Sequence, residues 1–187
     1  MGAEMMNYEE KTLGRKEIFT GNIIKVESLT VALPDGKEAT RDIVLHPGAS
    51  AVIPLSENGE LYMVTQYRKP IEKVSLEIPA GKLDKNEDPK DCARRELKEE
   101  TGLEAGNIKH LVSLHSTPGF CNEVLHLYVA TDLREGEACA DEDEFISSQK
   151  IPVADLLDRV LHHEITDAKT IVGILLADKI LKGEIKL

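Results

Sequence analysis

Glu96, Glu99 and Glu100 place three carboxylates within five residues of a stretch that reads as helix. At about 100° per residue they fall within an arc of roughly 100° on one face. Like charges at i, i+4 repel, so stability alone does not select this pattern, and something positive is expected on that face. Arg94, Arg95 and Lys98 lie in the same stretch and could partly neutralise it as an ordinary solvated acidic surface. The helix has clear ends. Asp88 is a good N-cap, Pro89 suits the first helical position, and Asp91 adds negative charge where the helix dipole favours it. Gly102 can take the left-handed conformation that stops a helix, and Ala93 and Leu97, beside the acidic arc, supply contact to a core.

The spacing continues outside the trio. Gly81 is followed after five residues by Glu87, and after seven more by Arg95-Glu96-Leu97. One residue later come Glu99-Glu100, and one after that Gly102-Leu103. This stretch, residues 81–103, resembles the Nudix box with every fixed position filled. The resemblance implies a loop–helix–loop that binds divalent cations and hydrolyses nucleoside diphosphates linked to another group. The residues suit that chemistry. A pyrophosphate repels an attacking water, and hard oxygen donors such as glutamates hold Mg²⁺, or Mn²⁺, with places left for water and phosphate oxygens. The cation then serves as Lewis acid, template and activator of water. In this reading Glu96, Glu99 and Glu100 are metal ligands, Arg95 orients a glutamate, and Glu87 holds the loop to the helix.

Further stretches resemble the ADP-ribose pyrophosphatase branch of the same family. They are Gln66-Tyr67-Arg68, Glu77-Ile78-Pro79-Ala80-Gly81, Arg41 through Pro47-Gly48, and Thr117-Pro118-Gly119-Phe120. Pro118 lies sixteen residues beyond Gly102, the placement by which that branch is recognised, so the resemblance covers roughly residues 18–181. It implies hydrolysis of ADP-ribose to AMP and ribose 5-phosphate. By position, Arg41 and Arg68 match diphosphate and nucleotide contacts, and the backbone carbonyl of Ala80 matches a metal ligand. Gly81, Pro118 and Glu123 are further candidates at the substrate, Glu123 with a salt bridge as its alternative. The acidic run at residues 135–144 reads by composition as a solvated loop. In this branch a late loop brings a glutamate to the metal site as catalytic base or extra ligand, which makes Glu142 and Glu144 both candidates for the base. Two rival readings are a Nudix hydrolase of nucleotide-sugars or dinucleoside polyphosphates, and a non-catalytic module that binds ADP-ribose.

The elements that must position these residues follow from periodicity. Residues 17–31 alternate apolar and polar, Pro34-Asp35-Gly36 offers a turn, and residues 39–45 alternate again, which predicts a strand meander. Strands are expected at 49–55 and 60–67, joined as a hairpin through Asn58-Gly59, and at 74–78, leading into the box loop. Strands at 108–116 and 124–131 follow the box helix, and the acidic run precedes Phe145 and Ile146. Helices are expected at 153–162 and after Asp167. The expected fold class is α+β: a Nudix-type α/β/α sandwich with a mixed sheet, preceded by a small N-terminal antiparallel meander. The expected division is a meander at 1–45 and a Nudix domain at 46–187. The branch resemblance implies that the meander makes a homodimer and walls the partner's adenine site.

Composition bounds the rest. The 187 residues suit one compact domain with a small appendage, and the net charge of −11 argues against nucleic acid or an anionic membrane as partner. Cys92, Cys121 and Cys139 are odd in number and lack CxxC spacing, and the six histidines lack metal-ligand spacing. There is no P-loop, GxSxG or GxGxxG, no signal peptide and no apolar run of membrane-spanning length, so a cytoplasmic enzyme is expected.

Overall fold

The computed structural model describes residues 7–136 and 145–187. It divides into two compact units: the chain up to Pro47 with His115–Glu123, and Gly48–Leu114 with Val124–Leu187. The first unit is built on an antiparallel sheet of β1 (Lys11–Thr20), β2 (Lys25–Ala32) and β3 (Glu38–Leu45), in that order. The Pro34-Asp35-Gly36 turn closes β2 onto β3, with the Leu33 amide donating to the Lys37 carbonyl at 2.7 Å. β1 begins at Lys11, earlier than its alternation suggests, because its polar start pairs with β2 as Lys11 faces Ala32. The segment His115–Glu123 docks on the end of β3, where Val44 donates to the Phe120 carbonyl and accepts from the Asn122 amide.

The second unit holds two sheets. β4 (Ala49–Pro54), β7 (Ala80–Lys82), β8 (Leu103–His115) and β9 (Val124–Glu135) form a mixed sheet of order β7-β4-β9-β8, with β4 and β9 parallel. β5 (Glu60–Arg68), β6 (Lys73–Glu77) and β10 (Ser147–Pro152) form an antiparallel sheet of order β10-β5-β6. Every residue of β4 is buried, as expected of a central strand covered on both faces. On one side Val52 joins Tyr128 and Ala130 of β9 in packing against Ala93 and Leu97 of helix α1 (Pro89–Thr101). On the other, Ala51, Ile53, Leu127 and Val129 share a larger core with Leu156 of α2 (Val153–Leu161) and Ile174 and Ala177 of α3 (Ala168–Leu181). The result is an α/β/α sandwich with a mixed central sheet, the expected class.

Two expectations need correction. β4 and β5 do not form a hairpin. The Asn58-Gly59 turn is present, with the Gly59 amide donating to the Ser56 carbonyl at 3.1 Å, but the strands meet only at one bridge, Leu55 to Leu61. β4 instead takes β7 and β9 as neighbours, and the turn carries the chain from one sheet to the other. The apolar strand expected at Phe145 and Ile146 is displaced: the strand is β10, whose Ser147-Ser148-Gln149-Lys150 segment is polar and exposed and becomes a strand by pairing with β5. Among the described residues, no helix is long and apolar enough to cross a membrane.

α1 has the expected ends. The Asp88 side chain accepts from the Lys90 amide, Pro89 opens the helix, and Gly102 closes it at φ 71°. Asp88→Ala should therefore cost about 1 kcal/mol. For a chain of this length that lowers the melting temperature by about 2–4 °C, readable in a thermal melt.

Candidate active site

The acidic face of α1 is held against the loop that precedes it by one arginine. Arg95 grips Glu87 with both arms of its fork, Nε to Oε1 at 2.9 Å and Nη2 to Oε2 at 3.0 Å. Its Nη1 donates to Glu96 at 2.7 Å and to Glu99 at 2.9 Å. Glu87 also accepts from the Asp84 amide at 2.9 Å, so the pair joins loop to helix. Part of the positive charge expected beside the trio is thus supplied by the chain itself. Glu96 and Glu100 are buried, and Glu100 accepts from the Ala80 amide at 3.0 Å. A Cβ on Gly81 would collide with the Glu96 carboxylate, so any side chain there would force that carboxylate to move. The loop backbone is a cradle into which that carboxylate is set. Below it, Cys92 points its thiol at the Gly81 and Lys82 carbonyls, and burial pushes its pKa up to about 12. That thiol is no nucleophile.

These donors are all hard oxygens, the chemistry that suits Mg²⁺ or Mn²⁺. Among the described residues no three acidic, histidine or cysteine side chains converge around one point. Glu96 and Glu99 are held by Arg95, and Glu100 by the Ala80 amide. The residues fit a divalent cation in donor type, and the loop backbone holds the Glu96 carboxylate in place.

A second charged cluster lies in the same unit. Arg68 is its one member expected at the substrate, Glu77 and Asp167 are expected only in a motif and at a helix start, and Lys169 has no signal in the sequence. Arg68, at the end of β5, holds Glu77 of β6 through Nε at 2.9 Å and Nη2 at 2.6 Å. Lys169 of α3 donates to the same carboxylate and to Asp167. Burial pushes the Glu77 carboxyl up, but Arg68 and Lys169 outweigh it and hold it at about 2. Asp167 caps α3 by accepting from the Thr170 amide at 3.0 Å and hydroxyl at 2.6 Å, and Thr170 Oγ1 accepts from the Ile78 amide at 3.0 Å. Glu77 lies three residues before Ala80, whose amide holds Glu100, which ties this cluster to the α1 face. Glu77 carries two signals in the sequence: it opens the branch-like Glu77-Ile78-Pro79-Ala80-Gly81 stretch, and it is an acid among the apolar residues Val74, Leu76 and Ile78.

Arg41, Pro118 and Glu123 belong to the other unit. Arg41 forms a fork on Glu10, at 3.0 and 2.6 Å. Pro118 lines a cavity of about 310 Å³ with Ile43, His115, Phe120, Cys121 and Asn122. Glu123 accepts from the Ser116 hydroxyl at 2.5 Å and stands 3.5 Å from His46 Nδ1. Glu142 and Glu144 lie outside the described residues.

The Arg95–Glu87 pair carries a pH signature. The Arg95 guanidinium lowers the Glu87 carboxyl from 4.5 to about 2. The stability this lends is full above the unfolded value and disappears as pH falls from about 4.5 towards 2. Glu87→Gln should melt below the wild-type protein near neutral pH, and the gap should close as the buffer is taken through that acidic window.

Comparison with known proteins agrees with this geometry. Residues 44–171 match the NUDIX domain family. A methanol dehydrogenase activator of Bacillus methanolicus is 44% identical over 89% of this chain and 91% of its own. An ADP-ribose pyrophosphatase of Bacillus subtilis (strain 168) is 42% identical over 91% of this chain and 93% of its own. The crystal structure of an ADP compounds hydrolase superposes with a TM-score of 0.86 over 99% of this chain and 100% of that one, at 22% identity, which speaks for the fold. A filled box on a capped helix, a sandwich that buries it and a family match over most of the length lead to one conclusion: the chain belongs to the NUDIX domain family.

Proposed function

We propose that this chain is a Nudix pyrophosphohydrolase that splits ADP-ribose into AMP and ribose 5-phosphate, with Mg²⁺ as the cation and Mn²⁺ as a substitute. The observation that carries the reading is the complete acidic face of α1 set into the Ala80–Gly81 loop. The 42% identity to an ADP-ribose pyrophosphatase along nearly the whole chain supports the substrate. Glu96, Glu99 and Glu100, with the Ala80 carbonyl, would hold the cation, which supplies charge neutralisation and Lewis acidity at the diphosphate. Arg95 fixes the glutamates' directions through its contacts with Glu96 and Glu99. A glutamate of the acidic loop, Glu142 or Glu144, takes the proton from the attacking water. Water oxygen bonds to phosphorus, the phosphorus–bridging oxygen bond breaks, and each product leaves with one phosphate. Arg41, Arg68, Gly81, Pro118 and Glu123 are assigned to substrate binding, the two arginines for the bidentate geometry that phosphate oxygens favour. Side-by-side turnover of ADP-ribose, GDP-mannose, NADH and diadenosine polyphosphates tests this. Preference for another substrate, or binding of ADP-ribose without turnover, would overturn it.

The 44% identity to a methanol dehydrogenase activator favours a second reading, in which the chain raises the rate of a dehydrogenase. Adding wild-type protein and Glu100→Gln to a methanol dehydrogenase assay separates stimulation that needs the α1 face from stimulation by contact alone.

The meander supports a homodimer. β1 is exposed along its whole length, and Leu13, Ile18, Phe19 and Ile23 are each more than half exposed. Strands of this kind need an apolar face covered, and a two-fold pairing with a second copy does that.

Glu96→Gln or Glu100→Gln should nearly abolish turnover in saturating Mg²⁺ while the metal-free melting temperature stays level or rises, since like-charge repulsion is relieved. Glu142→Gln or Glu144→Gln, whichever removes the base, should lower kcat about 10²-fold with little change in KM. Light scattering at micromolar concentration should return twice the 20.7 kDa of one chain, and deleting residues 1–45 should reduce that to monomer and weaken ADP-ribose binding. A monomeric, fully active wild-type protein would contradict the dimer.

A further inference from the structure

Lys169 lies on the first turn of α3, 92 residues from the carboxylate it contacts, and its side chain is only 13% exposed. Burying an ammonium is costly, and a buried ion pair contributes little to stability compared with apolar packing, so its presence calls for another reason. Its partner gives one. Glu77 is buried at 2% exposure and already carries the Arg68 fork on both oxygens. Arg68 with Glu77 and the neighbouring Asp167 would by themselves sum to one net negative charge. Lys169 changes the sum. With Arg68 and Lys169 against Glu77 and Asp167, the cluster is neutral as a whole rather than negative. The Arg68 guanidinium is held by two bonds in one orientation and remains 39% exposed. A cavity of about 410 Å³ lies over this cluster, with Ile71 and Ser75 also in its wall, so Arg68 has room to meet a ligand.

We propose that Lys169 is a positioning residue for the diphosphate of the substrate. By pairing with Glu77 and Asp167 it keeps the cluster neutral, so that Arg68 is oriented by Glu77 in surroundings that carry no net negative charge. Removing the ammonium would leave Arg68, Glu77 and Asp167 with a net negative charge beside the Glu100 side of α1, and an anionic substrate would be repelled. The inference rests on the assignment of Arg68 to the diphosphate made above, and deepens it by adding the residue that keeps Arg68 effective.

The test is the steady-state kinetics of the full-length protein with ADP-ribose in saturating Mg²⁺, at a temperature well below melting. The variants are Lys169→Met, Lys169→Gln, Lys169→Arg, Arg68→Ala and the double variant Glu77→Gln/Lys169→Met. Lys169→Met should raise KM about tenfold with kcat within about twofold, the pattern of lost ground-state binding. Lys169→Gln keeps a donor for Glu77 but loses the charge, and should behave alike, so it decides the matter should the Met variant fail to fold. Lys169→Arg should keep KM near wild type. The double variant, which removes one charge of each sign, should bring KM most of the way back. A fall in melting temperature with unchanged KM in a folded neutral variant would mean a structural ion pair only and would overturn the proposal. So would an unchanged KM in Arg68→Ala. Absence of ADP-ribose turnover in the wild-type protein would instead overturn the functional reading, and this inference with it.

Discussion

Everything at the site depends on how three glutamates are kept together on one side of α1. Their mutual repulsion favours splaying outward into solvent, and the helix alone offers no remedy. The chain supplies three restraints. Arg95 reaches back across the helix face to Glu87 and passes its remaining arm to Glu96 and Glu99. The Ala80 amide takes Glu100. The missing side chain of Gly81 leaves the hollow that Glu96 occupies. Each restraint comes from a different kind of group: a guanidinium fork, a backbone donor and an empty volume. Together they aim the acids at the loop.

Such a face needs a rigid support, and the sheets provide it. β4 is buried on both sides, so α1 cannot shift without disturbing Val52 and the Tyr128–Ala130 stretch of β9 that Ala93 and Leu97 pack against. β7, the loop's short strand, is hydrogen-bonded to β4 itself, Ala80 facing Ala51 and Gly81 facing Ser50. Ser50 in turn donates to the Pro89 carbonyl at 2.7 Å, at the first turn of α1. Loop and helix are therefore referred to the same strand, and the distance between them is set by one sheet rather than by a flexible hinge.

What could be read from the sequence divides along the range of the interactions. The ends of α1 were legible because Asp88, Pro89 and Gly102 act within a few residues of themselves, and the acidic face was legible because helical geometry makes neighbours of i and i+4. The Asn58-Gly59 pair correctly announced a turn, yet turn chemistry cannot say that β4 will be claimed by β9 in parallel and leave β5 to another sheet. β10 was hidden for the opposite reason: its first four residues are polar on both faces, and only its partner makes them a strand. The Lys169–Glu77 contact joins residues 92 apart and has no local signature, so no reading of spacing could supply it.

That last contact also ties the second helix layer to the carboxylate that holds Arg68. α3 reads as a core helix, and its Ile174 and Ala177 do pack into the main core. Its first turn has a different job. Asp167 fixes Thr170, Thr170 fixes the amide of Ile78, and Ile78 is the residue after Glu77 and the one before the Pro79-Ala80 loop. The polar start of α3 thus anchors both the acid that holds Arg68 and the strand end from which the box loop departs. A chain that needed only a hydrophobic lid over β4 could have met that need with apolar contacts and an ordinary cap. The buried acid and Lys169 are explained more simply by the direction they impose on the Arg68 guanidinium than by the stability they add, because desolvation takes back most of what such pairs gain.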